Sequence, residues 1–266
     1  IPGLASLRQK WRANIVKLKP EIQNHIMEPV VTNGITHGLS ILAQLFLEPG
    51  ETILYPEKCW ENYEHTFSRY HGAHVTTFPQ FQNGKFNVAA LIEACEKIAK
   101  AQKKVVLLLN FPHNQTGFSP LHEELAFAGL ALKDLCKRYP DMPFVVALDD
   151  AYEGFVYDGE GKNVSALGEF FHHLPNLTVV KLDGASKRYF LYGSRVGFVT
   201  IILNKSDGAE MNAEEQAAAA KEVTSKIGGV VRADISQVNH HGQLMVDALM
   251  SEPEKVVIQQ NAALEL

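Results

Sequence analysis

Between Gly184 and Gly197 the chain reads Gly-Ala-Ser-Lys-Arg-Tyr-Phe-Leu-Tyr-Gly-Ser-Arg-Val-Gly. A lysine in a turn of small residues at a strand end can reach a carbonyl group unobstructed. A surrounding pocket also helps it shed the proton that blocks its nucleophilicity. Arg195, eight residues after Lys187, offers the paired donors that suit a phosphate. Taken alone, Lys187 and Arg195 read at least as readily as a basic pair on a loop. Two further polar segments follow apolar runs: Asn-Phe-Pro-His-Asn-Gln-Thr-Gly over 110–117 and Asp-Asp-Ala-Tyr over 149–152. The first is also the composition of a plain turn, and a carboxylate in the second could cap a helix, Asp150 better than Asp149. Thr32-Asn-Gly-Ile-Thr-His-Gly38 opens a helix, and free amides at a helix start attract anions. Trp60 offers a broad stacking face, although a tryptophan is as easily a core residue.

Something must bring these segments together. Apolar periodicity and turn residues predict helices over 3–17, 36–47, 61–71, 88–101, 120–139 and 213–226. Between them lie short β-rich or apolar runs at 51–55, 74–78, 105–110, 144–148, 177–182 and 196–203. Continuous apolar strands alternating with helices imply a sheet buried on both faces, so an α/β protein of three layers (α/β/α) with a mostly parallel sheet. In such sheets ligands bind at the carboxyl ends of the strands, where the candidate polar segments fall. The stretches 158–165 and 205–214 read as polar surface loops.

Composition narrows the partners. A net charge of −5 over 266 residues gives no footprint for nucleic acid or an anionic membrane surface. No apolar run approaches the roughly 20 residues that span a bilayer. The paired histidines, His172-His173 and His240-His241, have no cysteines at metal-ligand spacing, so no metal site is expected. Three scattered cysteines fit a reducing cytoplasm rather than a disulfide framework.

Taken in order, these segments resemble the class I/II aminotransferases, the pyridoxal-phosphate enzymes of fold type I, and the likeness leans to the aspartate and aromatic branch. It rests on small-x-small-Lys followed by Gly-x-Arg-x-Gly at 184–197, Asn-x-Pro-x-Asn-x-Thr-Gly at 110–117, and Asp-x-Ala-Tyr at 149–152. The resemblance implies pyridoxal 5′-phosphate as cofactor and Lys187 as the Schiff-base lysine. It implies a phosphate held by Gly34, Ile35, Thr36, Ser186 and Arg195, and a pyridine nitrogen paired with Asp149. Asn114 and Tyr152 would face the phenolic oxygen, and Trp60 would stack on the ring. Lys187, Asp149 and Tyr152 would be the catalytic set. Arg232, four residues before Ser236, matches an arginine that in the aspartate branch binds a substrate carboxylate in the partner subunit's site.

The implied activity is transfer of an amino group between an amino acid and a 2-oxo acid, in a cytoplasmic homodimer. The alternatives are an amino-acid lyase or decarboxylase, and an aminotransferase-like ligand-sensing domain of a transcription regulator. Four departures from the pattern stand out: Phe190 replaces a smaller residue, Gly184 a serine, Gln115 a proline, and Gln237-Val238-Asn239 the usual Asn-Pro-Pro. Residues 1–266 read as the cofactor-binding large domain alone, with the family's N-terminal arm and C-terminal small domain expected outside them.

Overall fold

The computed structural model describes residues 2–156, 166–170, 174–204, 211–252 and 254. The loop expected over 158–165, residues 205–210 of the other expected loop, and His172-His173 lie outside this set.

Helix α1 (Ala5–Leu18) buries Leu7, Trp11 and Ile15, a single stripe at four-residue spacing. Strand β1 (Val30–Thr32) leads through Gly34 into α2 (Ile35–Phe46), and β2 (Thr52–Pro56) follows. The helix expected over 61–71 is a π-helical segment at Glu64–Tyr70, before β3 (His74–Phe78). A small hairpin, β4 (Phe81–Gln82) and β5 (Lys85–Phe86), precedes α3 (Val88–Ala101), whose cap Asn87 accepts from the Ala90 amide. Then come β6 (Val105–Asn110), α4 (His122–Arg138) and β7 (Phe144–Asp149). The short α5 (Leu167–Phe170) precedes β8 (Leu177–Gly184), the one-turn α6 (Ala185–Arg188) and β9 (Gly197–Ile202). Helix α7 runs over Ala213–Ile235, well past the expected end, and starts with a capping box between Asn212 and Glu215. Helix α8 (His240–Ser251) begins at Asn239, which accepts from the Gly242 amide.

The main sheet has seven strands in the order β1-β9-β8-β7-β6-β2-β3. Pairings among β8, β7, β6, β2 and β3 are parallel, and β9 runs antiparallel to both neighbours. Every residue of β6 and β7 is buried, so helices cover both faces, as the apolar runs required. No helix among the described residues is long and apolar enough to cross a membrane.

The register sets where polar groups can appear. Asn110 and Asp149 are the last residues of β6 and β7 and lie side by side, with Leu182 of β8 opposite Asp149. The expected mouth of the site is therefore one edge of the sheet, reached from β6, β7 and β8 together. On the far side, β9 comes so close to the start of α2 that Gly197 has no room for a side chain. A Cβ there would lie 2.6 Å from the Gly34 carbonyl carbon and 2.8 Å from the Ile35 nitrogen. Both are backbone atoms and cannot swing away. Gly197→Ala should therefore cost about 2 kcal/mol of stability in a urea titration, the scale of core overpacking. A variant as stable as the parent would show that this contact yields freely.

Candidate functional site

Asp149 forms the floor. Its carboxylate is buried and accepts hydrogen bonds from the Tyr63 hydroxyl at 2.6 Å and the Ala151 amide at 3.2 Å. Burial pushes its pKa up to about 6, against the pull of the Tyr63 hydroxyl, the Ala151 amide and the positive charge of Lys181. Tyr63 is itself held well above the ordinary tyrosine range by burial and by the carboxylate beside it, so it stays a donor. The ring of Trp60 meets Tyr63 edge-on at 5.9 Å.

One wall is the 110–117 loop. Asn110 donates to the Asp149 carbonyl at 2.6 Å and accepts from the Asn114 amide at 2.6 Å, which sets the loop against the floor. His113 bridges the Thr116 hydroxyl at 2.8 Å and the Lys58 carbonyl at 2.6 Å, tying this loop to the segment that carries Trp60. Burial lowers the pKa of His113 and favours its neutral ring. The Phe111-Pro112 peptide is cis, and Gln115, where the family pattern has proline, has a left-handed φ of 96°.

The opposite wall is the start of α2. Gly34 takes φ 83° and supplies no side-chain cap, so the first amides of a twelve-residue helix are not satisfied by one. Above it lies Arg195: a Cβ on Gly34 would stand 2.5 Å from an Arg195 guanidinium nitrogen. Arg195 follows the 3₁₀ turn Tyr192–Ser194 in left-handed backbone, φ 50°. Among the described residues it has no acidic partner; its contacts are the Tyr192 carbonyl at 3.4 Å and the Tyr192 ring. At Gly184, where the family pattern often has serine, a Cβ would stand 2.9 Å from the Val196 carbonyl oxygen. A serine would not fit this backbone.

Between these walls stands Lys187, in α6. Its amine lies 5.5 Å from the centre of the Tyr152 ring and 5.9 Å from that of Tyr192, with no acidic partner among the described residues. Ile35, Thr36, Trp60, Asn114, Asp149, Tyr152, Ser186, Lys187 and Arg195 all line one cavity of about 300 Å³. Gly34 sits directly under Arg195 at its edge. Arg232 does not join them: it is exposed in the last turn of α7. Asp150 caps no helix; it is buried against Lys181. Tyr63, Asn110, His113 and Tyr192 join the site beyond the residues the sequence pattern points to, although Tyr63 follows Trp60 by one helical turn's spacing and Asn110 and His113 lie within the 110–117 motif.

Chemically, the cavity has a buried carboxylate that would pair with a cation, and an anion cradle of helix amides and guanidinium. An amine without an acidic partner lies between them. Such a site fits an elongated ligand, positive at one end, phosphorylated at the other and open to attack by an amine.

The titration of Asp149 has a definite sign. Unfolded, an aspartate loses its proton near pH 4; folded, this one does so at about 6. Between these values the folded state binds more protons, so stability falls as pH rises and levels off above the folded value. In the cofactor-free protein, Asp149→Asn should remove about 3 kcal/mol of this decline between pH 4 and 7, read by chemical denaturation at each pH. An unchanged slope would mean that Asp149 is not the group responsible.

Comparison with known proteins gives a consistent picture. The family described as aminotransferase class I and II matches residues 3–264. Aspartate aminotransferase from Sulfurisphaera tokodaii is 24% identical over 197 residues, covering 74% of this chain and 45% of that protein. The crystal structure of an aminotransferase from Anaerococcus prevotii superposes with a TM-score of 0.81 at 22% identity, covering 99% of this chain and 61% of that one. An aromatic-amino-acid aminotransferase from Burkholderia pseudomallei, covalently bound to pyridoxal phosphate, gives a TM-score of 0.72 at 22% identity, covering 98% and 60%. The chain spans under half the length of the curated relatives it matches.

Proposed function

This chain belongs to the class I and II aminotransferase family, and we propose that its cavity is the pyridoxal 5′-phosphate site of an enzyme that moves an amino group between an amino acid and a 2-oxo acid. The observation that carries this reading is the place of Lys187, between a buried carboxylate floor and an uncapped helix start faced by a guanidinium. The bareness of Gly34 supports it, since any side chain there would fill the cradle under Arg195.

When bound, the cofactor supplies an aldehyde that joins amines and a cationic ring that draws electrons from the substrate's α-carbon. The residues of this chain do the rest. Arg195, the Ile35 and Thr36 amides, and the Thr36 and Ser186 hydroxyls would hold the phosphate. Asp149 would keep the proton on the ring nitrogen, and Tyr63, by donating to that carboxylate, favours its charged form against burial. Trp60 would lie over the ring, with Asn114 and Tyr152 at the phenolic oxygen. Lys187 would carry the covalent attachment. Its Nζ, when free, would be the base for the α-proton. The same reading implies a homodimer, in which Arg232, exposed on α7, is the candidate to meet a substrate carboxylate in the partner subunit.

Adding pyridoxal phosphate should give a visible absorption band that borohydride fixes to the protein at Lys187. Lys187→Ala should lose both the band and the fixation; attachment that survives the substitution would put the site elsewhere. With an amino acid and 2-oxoglutarate, pyridoxamine phosphate should form. Ammonia or carbon dioxide without it would favour a lyase or decarboxylase.

A further inference from the structure

Outside the residues that line the cavity, a lysine is fully buried in the sheet. Lys181 sits in β8 with none of its surface exposed. Its ammonium contacts the Asp150 carboxylate, the Glu153 carboxylate at 2.8 Å and that of Asp183 at 3.6 Å, all three buried. Glu153 in turn meets Arg188 at 3.4 Å, and Asp183 accepts from the Trp11 indole at 2.9 Å. The Arg188 guanidinium lies 5.5 Å from the Trp11 ring centre.

The chain positions give this cluster its meaning. Asp150 follows Asp149, Asp183 immediately precedes the Gly184–Lys187 turn, and Arg188 follows Lys187. An unbroken run of charged contacts thus links the residue beside the floor carboxylate to the residue beside the attachment lysine, and Lys181 is its centre. General stability explains such an arrangement poorly, because well-packed apolar side chains in place of a buried ion cluster usually hold a core as well or better. What an ion cluster does provide is directional contact between segments that packing alone would let slide.

We propose that Lys181 is a positioning residue of this site, an internal counter-ion that holds the Asp149 segment and the Lys187 turn in fixed relation. The inference rests on the reading of Asp149 and Lys187 as the working groups. The electrostatics agree: the charge on Lys181 opposes the burial that pushes the Asp149 pKa up. Burial raises Asp150 and Asp183 as well, and Lys181 counters both, while Glu153 pushes in the opposite sense. Arg188 also lowers Asp183, and burial raises the neighbouring Tyr189.

Lys181→Met alone removes the cation that, among the described residues, touches all three carboxylates, so it is paired with Lys181→Met/Asp150→Asn, which removes one charge of each sign and keeps side-chain size. Two measurements follow. In cofactor-free protein labelled at aspartate carboxyl carbons, the Asp149 titration should move up in Lys181→Met and move less in the folded double variant, where losing the Asp150 charge offsets part of the loss of Lys181. With pyridoxal phosphate added, borohydride-trapped attachment at Lys187 should form about tenfold more slowly, the usual scale for losing a supporting shell. A folded double variant that keeps the parent attachment rate, together with a Lys181→Met variant that keeps the parent titration, would overturn the proposal. So would one that does not fold, since Lys181 would then serve stability itself. A shifted titration in a protein whose parent takes up no pyridoxal phosphate would sink the cofactor reading and leave the role of Lys181 toward Asp149 standing.

Discussion

A carboxylate at the end of a strand buried on both faces has no water to stabilise its charge. Asp149 is in that position, and much of the molecule can be understood as the set of groups that make its ionisation tolerable. Tyr63 reaches it from the segment after β2, the Ala151 amide turns back on it, and the charge of Lys181 opposes the cost of its burial. Asn110 locks the neighbouring strand end to the same residue through its backbone. Because all these contacts come from different stretches of chain, the floor exists only when the parallel order of β6, β7 and β8 is complete. The cooperative core and the chemistry of the cavity therefore rest on the same register.

The opposite wall depends on space rather than charge. Gly34 and Gly197 face each other where β9 passes the start of α2, and Gly184 packs on the backbone just before Gly197. These close approaches let one helix start and one guanidinium share a small volume without intervening side chains. The antiparallel run of β9 brings this about, since it returns the chain from Arg195 directly past β1 and the turn into α2.

Most of the sheet was legible in the sequence because strands such as VVLLLN and FVVAL are buried throughout and carry no competing pattern. The candidate segments could be read for the same reason: polar residues that end such runs must sit at the sheet edge. Strand β1 is only three residues long and pairs with β9 across more than 150 positions, so no local periodicity announced it. The π-helical turn at Glu64–Tyr70 has the composition of an ordinary helix. Tyr63 was visible as a residue but not as a partner, because its contact spans 86 positions. Lys181 was concealed differently: inside LTVVKL a single lysine reads as an outward-facing residue of an apolar strand, and only three-dimensional packing shows three carboxylates around it. Asp150, plausible as a cap, belongs to that same hidden cluster.

The uncapped start of α2 has one more consequence. Its free amides and the strained charge of Asp149 are both local costs that an anionic ligand with a cationic ring would relieve, each at its own end of the cavity. Whatever binds only the folded chain stabilises it by mass action, about 1.4 kcal/mol for each tenfold excess over the dissociation constant. Ligand and core then form one thermodynamic system, in which the folded fraction of the protein reports the supply of the small molecule around it.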